Sequence, residues 1–268
     1  MGEGTPDGSA GERRVGLICN ADHDIFADVA RRLEAAGITV TFFEPGRRLT
    51  DTDLTDLALL MNKKVDPESF HALLAARRLG VPTWNGFRTL LLGVRLLGYQ
   101  ALRDAGFRVP PTHLTRPDGP YVAKTHVDWH FRPDPELNGE GDVYQELVPA
   151  TPVDYKYYAV DTGSDIVVQV LKTTSKLRGE KRPIGLVEPD PDLARQVRAL
   201  LRRTDTQALG VDCVRADGQY WAVDVNPAMS FRNAGMVPEL VESVLARLPG
   251  GTDSVDSAYE TGVRPVEQ

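Results

Sequence analysis

The feature that most constrains this chain is a change of texture near residue 106. Before it, short apolar runs alternate with amphipathic stretches. After it, strand-like runs follow one another with little helix between them. Alternating strand and helix builds a parallel sheet, whereas strands joined by short turns build antiparallel ones. The expected strands of the first half are 14–20, 38–43, 57–65 and 81–86. Between the first two, Ile25, Phe26, Val29, Ala30 and Leu33 keep helical spacing, and Gly37 stands where a C-cap belongs. A second helix opens with Asp66 as N-cap and Pro67 at its first position, and closes on Gly80. One apolar helix is expected over 87–105, and Pro110, Pro111, Pro117 and Pro120 mark a turn region after it. Strands are then expected over 121–125, 142–148, 154–160 and 165–173. A hairpin over 209–227 turns at Asp217-Gly218, and helices cover 189–204 and 236–248. Residues 1–13 and 250–268 are polar and aperiodic and read as disordered ends.

The hairpin carries the sharpest chemistry. Strand alternation puts Ala222, Asp224 and Asn226 on one face, and Asp212 shares a face with Val214 on the incoming strand. An odd-numbered turn centred on Gly218 sets Asp212 opposite Asp224, and a two-residue turn is expected to break that pairing. Two carboxylates side by side repel unless a cation lies between them. With the Asn226 carbonyl they form a hard oxygen set suited to Mg²⁺ or Mn²⁺. The alternative is a wet strand face, on which acidic and apolar residues alternate for solubility alone. Both readings stand at this level.

Only seven of the 31 basic residues are lysines, and five of those fall between 124 and 181. A compact ammonium suits single phosphate oxygens better than a guanidinium does. The net charge of -7 gives no basic footprint of the kind a nucleic-acid binder shows. Two cysteines, Cys19 and Cys213, imply no disulfide framework. With no signal-peptide core and no apolar run of membrane-spanning length, a cytoplasmic protein without a membrane partner is expected.

The segments GVDCV (210–214) and YWAVDVNPAMSF (220–231) resemble the metal-binding strand pair of the ATP-grasp superfamily. The likeness extends upstream, over roughly residues 14–248, and its flavour is that of RimK-type glutamate ligases. It implies an N-terminal parallel α/β pre-ATP-grasp domain over 14–86. An ATP-grasp domain follows over 87–249, with two antiparallel α+β subdomains enclosing the nucleotide. Lys124 resembles the family's phosphate-contacting lysine. Gln145, Glu146, Leu147 and Val148 resemble the hinge that meets adenine, and Asp154 the carboxylate on the ribose. Asp212, Asp224 and Asn226 take the metal positions, and Lys156, Lys172 and Arg232 the positions facing phosphate or substrate carboxylate. Two departures stand out. Arg95 occupies the place of a further ATP-contacting lysine, and the segment 126–141 lacks the glycine-rich phosphate lid. Within it, His126 and His130 read as loop residues.

The resemblance implies ATP and Mg²⁺ (or Mn²⁺) as cofactors, and a small-molecule carboxylate and an amine as substrates. The carboxylate would be activated as an acylphosphate for attack by the amine. Asp224→Ala or Asn226→Ala is then expected to abolish turnover with the fold intact, and Lys124→Ala to weaken nucleotide binding. Two rivals remain. One is a kinase acting on a hydroxyl, with Lys172, Lys176, Arg178, Lys181 and Arg182 as its basic cleft. The other is a nucleotide-binding module without catalysis. A homo-oligomer is also open.

Overall fold

A computed structural model describes residues 13–128, 135–175, 177 and 179–249. The expected disordered ends lie outside the described residues, apart from Arg13. So do Trp129, His130, Phe131, Lys176 and Arg178.

The first sheet is parallel. It holds β1 (Arg14–Ile18), β2 (Thr39–Phe43), β3 (Leu59–Asn62) and β4 (Thr83–Trp84) in the order β2-β1-β3-β4. Helix α1 (Asp24–Ala35) buries Phe26, Val29, Ala30 and Leu33, the helically spaced residues of the sequence. A one-turn helix α2 (Asp51–Leu54), which periodicity did not reveal, is held by a reciprocal capping box between Thr50 and Asp53. Helix α3 (Pro67–Leu79) starts on Asp66, whose carboxylate accepts from the Ser69 N–H, and ends on left-handed Gly80. Such an N-cap contributes about 1 kcal/mol.

The single helix expected over 87–105 is two, α4 (Phe87–Leu91) and α5 (Arg95–Asp104). The break has a cause. Val94 forms a β-bridge with Val127, the Arg95 N–H donates to the His126 carbonyl at 2.9 Å, and the Asp128 N–H donates to the Gly93 carbonyl at 2.7 Å. Tertiary pairing with residues 126–128 thus overrides helix continuation.

Two antiparallel sheets follow. The smaller holds β5 (Thr112–His113), β6 (Tyr121–Lys124), β7 (Glu136–Leu137) and β8 (Val143–Glu146) in the order β5-β8-β6-β7. The larger holds β9 (Val153–Asp161), β10 (Ile166–Thr174), β11 (Pro183–Val187), β12 (Ala208–Ala216) and β13 (Gln219–Asn226) in the order β11-β10-β9-β12-β13. The short strands β5, β7 and β11 carry Pro, Gly or only two residues, so no alternation marks them. Helix α6 (Pro191–Thr204) covers the large sheet through Leu193, Val197, Leu200 and Leu201, and α7 (Val237–Leu245) packs on α1 and β9.

One apolar core joins the parallel sheet to the large antiparallel one, running from Leu17, Phe26 and Trp84 to Tyr158, Val160, Ala208 and Phe231. Asn85 staples the two together. Its side-chain oxygen accepts from the Gln207 and Ala208 N–H groups, and its amide donates to the Ala208 carbonyl at 2.6 Å and the Pro227 carbonyl at 3.3 Å. Asn85 has φ 53°, the left-handed region that Asn tolerates. Among the described residues no helix is long and apolar enough to cross a membrane.

Candidate nucleotide and metal site

The facing antiparallel sheets enclose a cavity of about 360 Å³, within the size range of small-molecule sites. Lys124, Gln145, Glu146, Leu147, Val148, Asp154, Lys156, Asp212, Asp224 and Asn226 all line it. Asp154 and Lys156 are brought beside Asp212, Asp224 and Asn226 by the pairing of β12 with both β9 and β13.

Asp212 does lie directly across from Asp224, but not by the expected route. The turn has two residues, Asp217 and Gly218, closed by the pair Ala216–Gln219. Both have positive φ, 50° and 76°, the tight hairpin turn that Asp-Gly favours. Unbroken pairing from there would set Asp212 opposite Val223. A β-bulge between Asp224 and Ala222 absorbs Val223 and restores the Asp212–Asp224 pair. The bulge also regroups the faces. Val223, Asp224 and Asn226 line the cavity, while Ala222 is buried in the core with Val225, not on the Asp224 face.

Lys124 is buried, and its ammonium donates to the Tyr99 hydroxyl at 3.0 Å, Gln145 Oε1 at 2.9 Å and the Val223 carbonyl at 2.7 Å. The last acceptor is the bulge residue. Because the ammonium takes the Gln145 oxygen, the Gln145 Nε2 faces elsewhere, and it is buried with no partner among the described residues. An unpaired buried donor is costly. The Glu146 and Leu147 N–H groups donate to the Pro111 and Pro120 carbonyls. The close approach of this region needs Gly141. A Cβ there would lie 2.8 Å from both the backbone nitrogen and the carbonyl oxygen of Lys124.

The carboxylates come with their own cations. Lys156 donates to Asp212 at 2.7 Å, and Arg95 meets both Asp224 oxygens at 2.6 and 2.8 Å. Burial works against the Lys156 charge, but the Asp212 carboxylate outweighs it and raises the pKa. Lys181, a residue the sequence offered only as part of a general basic stretch, lines the cavity beside Lys156. Burial first, and then Lys156, pull its pKa down to about 8. Burial and the nearby Asp212 hold Asp154 above the usual carboxylate range.

Two expected residues are elsewhere. Lys172 pairs with Tyr155 on β9, whose ring packs in the core on the far side of the sheet, and its ammonium lies over that ring at 5.8 Å. It does not join Lys156, because adjacent strand positions face opposite ways. Arg232 is exposed and pairs with Asp24 at 3.3 Å, next to the cavity-lining Ser230 but not in the lining itself. The exposed His126 and the Arg182–Glu180 pair also lie off the lining.

Asp212, Asp224 and Asn226 fit a divalent ion by donor chemistry, since all three offer hard oxygens on one cavity wall. Among the described residues no group of three acidic, His or Cys side chains forms, so the set is two carboxylates and one amide.

No protein-family model and no curated protein sequence matches this chain. Solved structures do. The ATP-grasp ligase PsnB, complexed with a phosphomimetic variant of its minimal precursor, Mg and ADP, is similar over 88% of this chain and 99% of its own, at 18% identity and TM-score 0.63. A RimK domain protein ATP-grasp from Sphaerobacter thermophilus is similar over 87% and 99%, at 15% identity and TM-score 0.65. The D-cycloserine synthetase DcsG is similar over 88% and 100%, at 12% identity and TM-score 0.66. The fold of this chain, a parallel α/β sheet followed by two antiparallel sheets around a cleft, is that of the ATP-grasp ligases.

Proposed function

We propose that this chain with the ATP-grasp fold is an ATP-dependent ligase that activates a substrate carboxylate as an acylphosphate for attack by an amine. The observation that carries the reading is the convergence of Lys124, the 145–148 hinge, Asp154, Lys156 and the Asp212–Asp224–Asn226 wall on one cavity.

Adenine would lie along Gln145–Val148, where the unpaired Gln145 Nε2 offers a donor. Asp154 would take the ribose hydroxyls, and Lys156 and Lys181 the phosphate oxygens. A divalent ion on Asp212, Asp224 and Asn226 would neutralise phosphate charge. Phosphoryl transfer from ATP to a carboxylate oxygen is mainly positioning and charge neutralisation, and these cations on rigid strands supply both. Lys172 has no part in this reading, and Lys181 takes the place expected for it.

PsnB is solved with a precursor peptide, and the reading requires a carboxylate, so peptides bearing carboxylate side chains belong among the candidate substrates beside small acids. The test is a product screen with ATP and Mg²⁺, pairing amino acids, small acids and acidic peptides, read by mass spectrometry. An amide product with ADP and phosphate supports the reading. A stable phosphorylated hydroxyl points to a kinase, and tight ATP binding without any turnover points to a binding module.

A further inference from the structure

Arg95 is the buried charge this cavity does not explain by phosphate contact. Its side chain is 1% exposed, yet it sits on α5, the helix that leads into the cleft. All three of its side-chain nitrogens are engaged. Nη1 donates to both Asp224 oxygens at 2.6 and 2.8 Å, Nη2 to Asp128 at 3.0 Å, and Nε to the Thr125 carbonyl at 3.1 Å. The helix is pressed onto β13 closely enough that a Cβ on Gly98 would lie 2.7 Å from Val225. A guanidinium so placed is held by three groups on two elements, and breaking it away would bury an unpaired charge.

Lys156 differs. It meets only one oxygen of Asp212, through a single donor on a flexible stem, with cavity space beside it. Arg95 is shared between the Asp224 and Asp128 carboxylates, and Lys156 faces Asp212 alone of the two strand carboxylates. An incoming divalent ion can trade places with Lys156, whose ammonium then turns to the phosphates. It cannot trade places with Arg95.

We propose that Arg95 is a resident cation of this site: it keeps part of the Asp224 charge for itself and limits the chain to one divalent ion, seated toward Asp212. The proposal rests on the nucleotide reading of the cleft. Arg95 is a positioning residue in it, acting through Asp224.

The experiment counts Mn²⁺ bound per chain in the presence of ADP, from the loss of the free Mn²⁺ signal in electron paramagnetic resonance. One ion per wild-type chain is expected. Arg95→Lys keeps the charge and should keep the count at one. Arg95→Met combined with Asp128→Asn removes the cation without stranding its second carboxylate, and should raise the count to two. Two ions on the wild type, or one on the folded double variant, overturns the proposal while leaving the nucleotide reading intact. If the double variant does not fold, the wild-type count decides. ADP binding absent from the wild type overturns both.

Discussion

The Lys124 ammonium donates to the carbonyl of Val223, the one residue that the hairpin absorbs as a bulge. The candidate phosphate lysine therefore also holds the register that sets Asp212 across from Asp224. Lys124→Met should act twice. It leaves the Val223 carbonyl, Gln145 Oε1 and Tyr99 hydroxyl without their shared donor, at a stability cost of about 1–3 kcal/mol. Under the nucleotide reading it also weakens ATP binding, by about tenfold or more. Urea denaturation and calorimetric ATP titration check the two effects separately. ATP affinity unchanged in a folded variant would remove Lys124 from the site.

Asp224→Ala should cost stability as well as turnover, where the sequence alone leads one to expect an unaffected fold. Arg95 is buried, and the substitution leaves its Nη1 without an acceptor while Nη2 and Nε keep Asp128 and the Thr125 carbonyl. A loss of about 1–3 kcal/mol is expected. Thermal melts of Asp224→Ala and Asp212→Ala should differ clearly, because the Asp212 partner Lys156 can turn into the open cavity. Equal melts would show that the Arg95 pair has no special weight.

Lys181 ties nucleotide binding to pH. Its pKa lies near 8, below the ordinary 10.5, so the free site loses this charge as pH rises through 8. Phosphate stabilises the protonated amine, so its contribution to ATP binding is complete below pH 8 and fades above it. Binding at pH 8.5 should therefore take up protons, seen as a dependence of the calorimetric heat on the buffer's ionisation enthalpy. Lys181→Met should abolish that uptake. Uptake that persists in the variant assigns the proton to another group.

Lys63 gives a stability prediction outside the cleft. Burial, outweighing its neighbour Cys19, brings its pKa down to about 7 from 10.5. Its ammonium donates to the Ala228 carbonyl and lies 5.5 Å over the Phe26 ring. The unfolded chain then holds the proton more tightly between pH 7 and 10.5, so stability rises with pH in that window and the full penalty stands below it. Lys63→Met should be more stable than wild type at pH 7 by on the order of 2–4 kcal/mol, with the gap closing toward pH 10. A gap that does not vary with pH would mean that Lys63 titrates normally.

What the sequence determined by itself is what local chemistry writes. Helical spacing at Phe26, Val29 and Leu33, the Asp66 cap with Pro67, and the place of the hairpin at Asp217-Gly218, though not the length of its turn, are each stated within a few residues. The parallel-then-antiparallel architecture follows from their order, and the short motifs around Asp224 and Gln145 pointed to the cavity residues. Only the tertiary structure decided the rest. The Val223 bulge comes with its carbonyl bound to Lys124, a residue 99 positions away. The break at Gly93–Val94 comes from pairing with residues 126–128, and Lys172 is turned away by its register with Tyr155. Arg95 stood at the place of a further ATP-contacting lysine, and the structure pairs it with Asp224. Each of these depends on which distant strand or helix lies alongside. That is settled by packing and by satisfying buried polar groups, and leaves no periodic trace in the residues nearby.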